Sequence, residues 1–261
     1  MKKIIVISCG PNRETYLEKT LNSLNLDIEI LVINDTGRLL NIKPKKNLSI
    51  LNNKKTIGLT ASLCKWSFKY RNYDIIYRLD TGTIPVMERF DIQEKIIQKN
   101  PNVGICAART EFYLEDEENV VMIKKNKKLS SQEIKFKLQY TNPISHSSIA
   151  INGEALRDVG GYSTRYIQCQ DYYLYLKMIR NKWDIQMTKE ILNKHFFIKR
   201  LSNTLNKNTI SRKMILKIYI HYYGLFGIFL RPLVLLAYVF NLLIIIKNEY
   251  SEKSKSNFFR H

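Results

Sequence analysis

Two aspartates in the first third of the chain each follow an apolar run. Asp80 closes the run at 74–79 and is followed at once by the turn-forming residues 81–83. Asp35 comes just after a second apolar run, at 28–33. A carboxylate where a buried strand meets a loop can contact a metal ion, a sugar or a phosphate-bound metal. Both aspartates are therefore candidates for ligand binding, although Asp35 also suits an Asx turn.

The elements that must position these aspartates alternate between strand and helix patterns. Strands are predicted at 4–7, 28–33, 48–51, 74–79, 103–107 and 149–151, and helices at 14–24, 60–70, 92–98, 153–159 and 172–180. Such alternation predicts an α/β fold with a Rossmann-like, mostly parallel sheet flanked by helices. Ligands of these sheets bind beyond the carboxyl ends of the strands, where Asp35 and Asp80 are expected.

A third carboxylate, Asp171, lies at the start of the predicted helix 172–180. A carboxylate in this place stabilises the helix, because it accepts from free backbone N–H groups and faces the positive end of the helix dipole. The residue types alone leave capping and chemistry as alternatives.

Composition restricts the class of protein. The chain has 261 residues, 45% of them hydrophobic, and a formal net charge of +19. This charge predicts attraction to polyanions such as an anionic membrane or phosphorylated substrates. No recognisable nucleic-acid motif accompanies the dispersed lysines, so nucleic-acid binding is not expected. The four cysteines form no C-x-x-C pair, and the apolar run at 4–7 is too short for a signal peptide, which favours the cytoplasm.

The last third changes character. Residues 215–246 are almost entirely apolar or aromatic, but Arg231 and Pro232 divide them into two segments shorter than a bilayer span. Flanking lysines and interspersed tyrosines favour two interfacial helices on an anionic leaflet. A buried helical hairpin in a soluble oligomer is the alternative. We therefore predict a catalytic-type domain at 1–210 and a basic, apolar helical membrane-association region at 211–261, on the cytoplasmic face of the inner membrane.

Several motifs follow one another in a characteristic order over residues 3–205. They are the opening strand and loop 6–13, Leu-Val-Ile-Asn-Asp-Thr-Gly at 31–37, Ile-Gly-Leu-Thr-Ala-Ser-Leu-Cys-Lys at 57–65, Arg-Leu-Asp-Thr-Gly-Thr at 78–83, Asn-Pro-Ile-Ser-His-Ser-Ser at 142–148, Val-Gly-Gly-Tyr at 159–162 and Gln-Asp-Tyr at 170–172. In this order the chain resembles the family 2 inverting glycosyltransferases of the GT-A fold, which build bacterial capsule and lipopolysaccharide glycans.

The resemblance implies a donor site for a nucleotide-diphosphate sugar, with a UDP-hexose or UDP-N-acetylhexosamine expected. Asp35 would accept hydrogen bonds from the base, and the loop from Gly10 to Arg13 would lie against the nucleotide. Gly58 would let the backbone approach the nucleotide, and Arg78 would pair with a phosphate or a neighbouring carboxylate. Asp80 would contact the ribose or hold Mg²⁺ or Mn²⁺ bridging the phosphates.

On the acceptor side, the resemblance makes Asp171 the general base that removes the proton from the attacking hydroxyl. His146 would either face the acceptor or be a hydrogen-bonded core histidine. The expected partners are the sugar donor, a cell-surface glycan or lipid-linked acceptor, and the membrane surface.

Three departures from the family pattern affect the expected mechanism. Asn34 replaces the first of two aspartates, and Gln170 replaces a glutamate before Asp171. Gly82 and Thr83 stand where the family has two carboxylates, one of which usually binds the metal. Two consequences are open: Asp80, the diphosphate and water hold the ion, which suits Mg²⁺ because it usually keeps several waters, or Lys199 or Arg200 stabilises the leaving diphosphate directly. We expect weakened metal dependence. A catalytically silent relative that binds nucleotide sugars or scaffolds a glycan-assembly complex is the alternative function.

Overall fold

The computed structural model describes residues 1–115, 120–198 and 204–258. The chain divides into two compact units. Unit 1 comprises Met1–Lys135 and Pro143–Lys199, and unit 2 comprises Phe136–Asn142 and Arg200–His261. The predicted boundary between 210 and 211 stays a prediction.

Strands and helices alternate through unit 1, and two long helices dominate unit 2. The strands are β1 (Lys3–Cys9), β2 (Glu29–Asn34), β3 (Leu48–Asn52), β4 (Ile75–Asp80), β5 (Thr83–Pro85), β6 (Val103–Glu115), β7 (Val120–Lys125), β8 (Ile149–Asn152) and β9 (Asp184–Ile198). The helices are α1 (Glu14–Asn22), α2 (Leu59–Lys65), α3 (Glu88–Lys99), α4 (Ser131–Lys137), α5 (Gly153–Asp158), α6 (Gln170–Arg180), α7 (Thr204–Phe229) and α8 (Pro232–Phe258). Short 3₁₀ turns lie at Ser67–Lys69 and His146–Ser148.

All of the described strands join one sheet. Their order is β3-β2-β1-β4-β8-β6-β9-β5, with β7 paired to β6 outside this path. The pairs among β1, β2, β3 and β4 are parallel, as is β6 with β9. The pairs of β8 with β4 and β6, of β5 with β9, and of β7 with β6 are antiparallel. The α/β class is confirmed, but the sheet is mixed rather than mostly parallel, because β8 runs against both of its neighbours.

The central strands form the hydrophobic core that fixes the site. Ile5, Ile7, Val32 and Leu79 are fully buried in β1, β2 and β4. Burying a side chain of this size contributes about 1.5–3 kcal/mol, so the strand positions are strongly stabilised. Because β1, β2 and β4 are parallel, their carboxyl ends meet at one edge of the sheet. Asp80 and Asp35 lie at that edge, as predicted.

Unit 2 contains the helical pair predicted from the apolar segments. Helix α8 begins at Pro232, whose fixed φ and missing N–H suit a first helical position. Gly224, with φ of 69° and ψ of 164°, interrupts the helical geometry inside α7. Among residues 1–115, 120–198 and 204–258, no helix combines the length and apolar character needed to cross a bilayer. Membrane association remains a proposal.

Candidate functional site

Asp80 ends β4 beside a buried arginine. The Arg78 side chain is fully buried, and its Nη2 donates to Asp80 Oδ1 at 2.9 Å. Its Nη1 donates to the backbone carbonyl of Val6 in β1, which anchors the guanidinium to the sheet. The Asp80 side chain keeps 32% of its surface exposed. The carboxylate can therefore contact a ligand while it remains paired with Arg78.

The charge of Asp80 is maintained by its neighbours. Burial raises the pKa of this carboxyl, but Arg78, His146, His195 and Arg13 together lower it by more, so the net pKa lies below the usual value. Asp80 is therefore ionised at neutral pH. The site thus gathers basic side chains from four separate segments around one carboxylate.

Gly82 occupies a position that leaves no room for a side chain. Its φ is +90°, and an added Cβ would lie 2.5 Å from the backbone oxygen of Phe196 and 3.0 Å from Cδ1 of Tyr16. The Gly82 N–H donates to Thr20 Oγ1 at 3.0 Å, and the Phe196 N–H donates to the Gly82 carbonyl at 2.8 Å. Helix α1 and strand β9 therefore close on Gly82 from two sides, which explains the glycine in place of a carboxylate.

The side chain of Thr83 also makes an internal contact. Its side chain is buried, and its Oγ1 lies 2.8 Å from Nδ1 of His195, the residue opposite it in the β5–β9 pair. Burial lowers the pKa of His195, and the charge of Asp80 opposes this shift. His195 therefore acts on the charge of Asp80; it opens the segment 195–200 that the family resemblance sets beside the diphosphate, in which Lys199 and Arg200 were the predicted site residues.

Asp35 orders the loop that leads into α2. Its Oδ1 accepts from the Ile57 N–H and from Asn53 Nδ2, each at 2.9 Å, and its Oδ2 accepts from the Gly58 N–H at 2.8 Å. Only 5% of Asp35 is exposed. The protein supplies three donors to this carboxylate, so an additional bond to a base would use its remaining acceptor capacity. The donor-binding role of Asp35 stays a prediction.

Asn34 shows why an amide replaces the first aspartate of the family pattern. Its Nδ2 donates to the Arg38 carbonyl and to Asn52 Oδ1, both at 2.7 Å. Its Oδ1 accepts from the Thr36 N–H at 3.0 Å and from the Thr36 hydroxyl at 2.8 Å. A carboxylate has no donor for the first pair of contacts, so Asn34 fits this buried position better than Asp.

Of the two glycines in the predicted site, Gly58 has a backbone conformation that favours glycine, and Gly10 does not. Gly58 precedes α2 with φ of +91°, a conformation that L side chains rarely adopt, although a Cβ there would meet no described atom within 4 Å. Gly10 also has open space at its Cβ position. Arg13 lies just before α1, with its guanidinium carbon 5.7 Å from the centre of the Tyr16 ring.

Asp171 is the second residue of α6. Cys169, the residue just before α6, has φ of 62°. This left-handed conformation is uncommon for a residue with a side chain and is enriched at functional sites. The charge of Asp171 reaches His146, as does the charge of Asp80, and both favour the protonated imidazole. The structure therefore places Asp80, Asp171 and His146 in one electrostatic environment.

His146 is buried and hydrogen-bonded. Its Nε2 lies 2.7 Å from the hydroxyl of Tyr162, and only 8% of the residue is exposed. Burial lowers its pKa to about 4, assisted by Arg78, despite the opposing charges of Asp80 and Asp171. The imidazole is thus neutral at pH 7. Its bond to Tyr162 is compatible with both predicted roles, facing the acceptor or stabilising the core.

Arg89, which the sequence analysis missed, joins three segments of the site. Its buried guanidinium donates to the carbonyls of Arg78 at 3.1 Å, Ser147 at 3.1 Å and Ile149 at 3.3 Å, and to Asn193 Oδ1 at 2.9 Å. Arg78 precedes Asp80 in β4, Ser147 and Ile149 follow His146, and Asn193 precedes His195 in β9. The Arg89 Nε also donates to Gln93 Oε1 at 2.9 Å, one turn later in α3. Arg89 lies outside the helix predicted at 92–98, and no local pattern marked it as buried.

Two further residues of the predicted site, Lys199 and Arg200, lie outside the described residues.

Comparison with known sequences gives one limited match. No family model matches the chain. A protein from Haemophilus influenzae, named an uncharacterized glycosyltransferase, is 30% identical over 108 residues. The match covers 41% of this chain and 39% of that protein, so the chain spans well under half of the curated relative.

Solved structures give a longer match. S. aureus TarS 1–349 in complex with UDP-GlcNAc superposes with a TM-score of 0.57 at 12% identity, over 94% of this chain and 82% of the TarS 1–349 chain. GalNAc-T7 with UDP, GalNAc and Mn²⁺ gives a TM-score of 0.57 at 14% identity, over 85% of this chain and 50% of that one. The fold resembles that of the GT-A glycosyltransferases. Asp80 and Asp35 lie at the carboxyl ends of parallel strands, where ligands of α/β sheets bind.

The fold family implies a metal ion that bridges the phosphates of the sugar donor. The side chains near Asp80 show whether the protein could hold such an ion. Within the described ranges, no three His, Cys, Asp or Glu side chains form a group that could hold a metal. Asp80 supplies one carboxylate, while Gly82 has no room for a second. These residues do not fit a metal ion held by the protein. Cationic side chains are therefore the groups considered below for stabilising the charge on the leaving diphosphate.

Proposed function

We propose that this protein is an inverting glycosyltransferase of the family 2 type. It would move a sugar from a nucleotide-diphosphate donor, with UDP-hexose or UDP-N-acetylhexosamine expected, to an acceptor hydroxyl. The likeness to folds solved with UDP-GlcNAc and with UDP supports the donor class. The observation that carries the proposal is the buried Arg78 paired with a partly exposed, ionised Asp80 at the end of β4.

Asp171 acts as the general base in this proposal. Its carboxylate takes the proton from the acceptor hydroxyl while that oxygen forms a bond to the anomeric carbon of the sugar. The bond from the anomeric carbon to the diphosphate oxygen breaks, and the electron pair leaves with the nucleoside diphosphate. A single displacement from the opposite face inverts the anomeric configuration.

Positive side chains offset the charge that develops on the leaving diphosphate. Arg78 is held by Asp80 and by the Val6 carbonyl, so its guanidinium is oriented before the donor binds. The charge of Arg13 lowers the pKa of Asp80 and of His195, so Arg13 is a second proposed contributor. Because Arg78 is fully buried, it acts on the diphosphate through its fixed charge and not through a direct hydrogen bond, and such a fixed charge stabilises developing negative charge without reorganising. Lys199 and Arg200 remain proposed contributors.

The direct test is release of nucleotide from a panel of nucleotide sugars, with and without simple acceptors. The proposal expects release from one or a few donors and its loss in Asp171→Asn. Glu154, an exposed carboxylate in the first turn of α5, offers a matched control as Glu154→Gln.

A catalytically silent, nucleotide-sugar-binding or scaffold relative is the second candidate. The crowded Gly82 and the committed hydroxyl of Thr83 favour it, because neither can replace the usual metal-binding carboxylates. Calorimetry with UDP and UDP-sugars separates the two functions. Binding without turnover of any donor, in both wild-type protein and Asp171→Asn, supports the silent relative.

We place the acceptor among cell-surface glycans or lipid-linked precursors, in capsule or lipopolysaccharide biosynthesis at the cytoplasmic face of the inner membrane. The charge of +19 supports this placement, since an anionic leaflet attracts basic proteins. Glycan analysis of cells that lack the protein tests the acceptor class.

A further inference from the structure

Helix α8 presents a broad apolar face to solvent. Six large side chains along it are between 43% and 65% exposed: Leu233, Leu236, Val239, Phe240, Leu243 and Ile246. At 100° per residue these positions fall within an arc of about 140°, which defines one continuous stripe. We call these six residues the outer face of α8. Soluble proteins rarely leave a stripe of this kind uncovered.

The opposite side of α8 is already used for packing within unit 2. Val234, Asn241 and Ile245 are buried there. Arg212 of α7 donates from its Nη1 to Asn241 Oδ1 at 2.7 Å, and its guanidinium carbon lies 5.8 Å from the centre of the Phe240 ring. The helix therefore has a fixed inner side formed by Val234, Asn241 and Ile245, and Phe240 of the outer face also contacts Arg212 of α7.

The charges of this region identify the partner. Residues 200–248 contain seven lysines and arginines and no aspartate or glutamate. Among them, Lys217, Arg231 and Lys247 are exposed on α7, at the α7–α8 junction and on α8. Pairing this region with the same region of a second copy would bring like charges together with no acidic side chain between them. A partner that is both apolar and anionic can cover the apolar side chains of the outer face and also pair with the exposed cations.

We propose that the outer face of α8 binds the surface of an anionic lipid bilayer. Its leucines, Ile246 and Phe240 enter the boundary between headgroups and acyl chains, and the exposed cations contact the acidic headgroups. The helix lies in the plane of the interface and does not cross it. This agrees with the finding that no helix in the described ranges is suited to a span.

Vesicle co-sedimentation of the full-length protein tests the proposal. Vesicles of phosphatidylcholine alone are compared with vesicles that also contain phosphatidylglycerol. Wild-type protein is expected to sediment with the anionic vesicles and to be released by high salt. The variant Leu233→Ser/Leu236→Ser/Leu243→Ser is expected to partition at least about tenfold more weakly, because three apolar side chains no longer enter the interface.

A matched control removes three exposed aliphatic side chains from unit 1. Val120, Val121 and Ile123 of β7 are each about half exposed, and their replacement by serine leaves α8 unchanged. The control is expected to bind anionic vesicles like the wild type. Equal binding by wild type and the α8 variant, or equal loss in both variants, overturns the proposal.

A second variant, Lys217→Glu/Lys247→Glu, changes charge without changing the outer face, so a folding defect in the serine variant does not decide the result. Weaker binding to anionic vesicles is expected. Analytical ultracentrifugation adds the remaining outcome: a wild-type dimer that the serine variant disrupts, with no vesicle binding, overturns the proposal in favour of a second copy. UDP binding, measured separately, reports on the proposed transferase function and does not depend on this result.

Discussion

The backbone oxygen of Phe196 lies so close to Gly82 that a Cβ on this residue would come within 2.5 Å of it. Strand β9 therefore dictates the residue two positions after Asp80, where the family pattern has a carboxylate. The packing of β9 explains the absence of that carboxylate, and in the proposed mechanism the nearby cations take over part of its role.

Gly82→Asp is therefore expected to destabilise the protein instead of restoring a metal ligand. The side chain would need both a positive φ and displacement of β9, and such strain costs about 1–3 kcal/mol or more. Thermal unfolding should show a lower midpoint, and Mn²⁺ should not stabilise the variant. Gly10→Ala is the control, because its Cβ position is open. A stable Gly82→Asp variant whose midpoint rises with Mn²⁺ would contradict this explanation.

Donor turnover is expected to persist largely in EDTA, since Asp80 is the single carboxylate at the end of β4 and its partners are cations. The measurement is nucleotide release with EDTA and after addition of Mn²⁺. Complete loss of activity that Mn²⁺ restores would show that the metal has an obligatory role.

His146 is expected to make stability fall as pH falls from 6.5 to about 4. The imidazole has a pKa of about 4 in the folded protein and 6.5 as the reference value, so the unfolded state binds the proton first. The contribution of His146 to the free energy of unfolding is complete above pH 6.5 and is lost as the pH falls to the folded pKa. This loss of stability is on the order of 3 kcal/mol.

The measurement is thermal unfolding of wild type and His146→Gln between neutral and acid pH. The glutamine variant can still bond to Tyr162 but does not titrate, so its midpoint should decline less steeply. Parallel curves for the two proteins would show that His146 is not the titrating group.

Arg89 is expected to act as a positioning residue for the donor site. Arg89→Lys keeps the charge but cannot reach the carbonyls of Arg78, Ser147 and Ile149 together, so β4 and the segment around His146 lose their common anchor. We expect turnover per folded molecule to fall at least about tenfold, as misplaced catalytic geometry commonly does.

The matched control is Arg157→Lys, which changes an exposed arginine that donates to the Arg71 carbonyl. Unfolding curves establish the folded fraction of each variant, and kinetics separate kcat from KM. Normal kcat in folded Arg89→Lys would reduce Arg89 to a purely structural role.

Local patterns predicted the first four strands, α1, α6 and the division at Arg231 and Pro232, because each has a clear hydrophobic period or a helix boundary signal. The pattern did not reveal β9. Polar residues such as Lys189, Glu190 and Asn193 interrupt its hydrophobic pattern, and β9 is held as a strand by its long pairing with β6 and its shorter pairing with β5. Pairing between distant segments is not encoded in a local period.

The same limit applies to the site. Asp35 and Asp80 could be placed at strand ends from sequence, whereas the buried Arg89 could not, since arginine is usually exposed. His195 and Tyr162 become neighbours of the site only through β9 and through the turn after α5. The crowding around Gly82 likewise depends on β9.

The central claim is that Asp171 removes the proton from an acceptor while the sugar leaves a donor bound near Asp80. The most direct test is nucleotide release by wild type, Asp171→Asn and Glu154→Gln, with UDP affinity measured on the same proteins. Asp171→Asn should bind UDP normally and lose about 10²–10⁴-fold in turnover, the usual contribution of a general base. Unchanged turnover in Asp171→Asn, or no turnover of any donor by the wild type, would contradict the account.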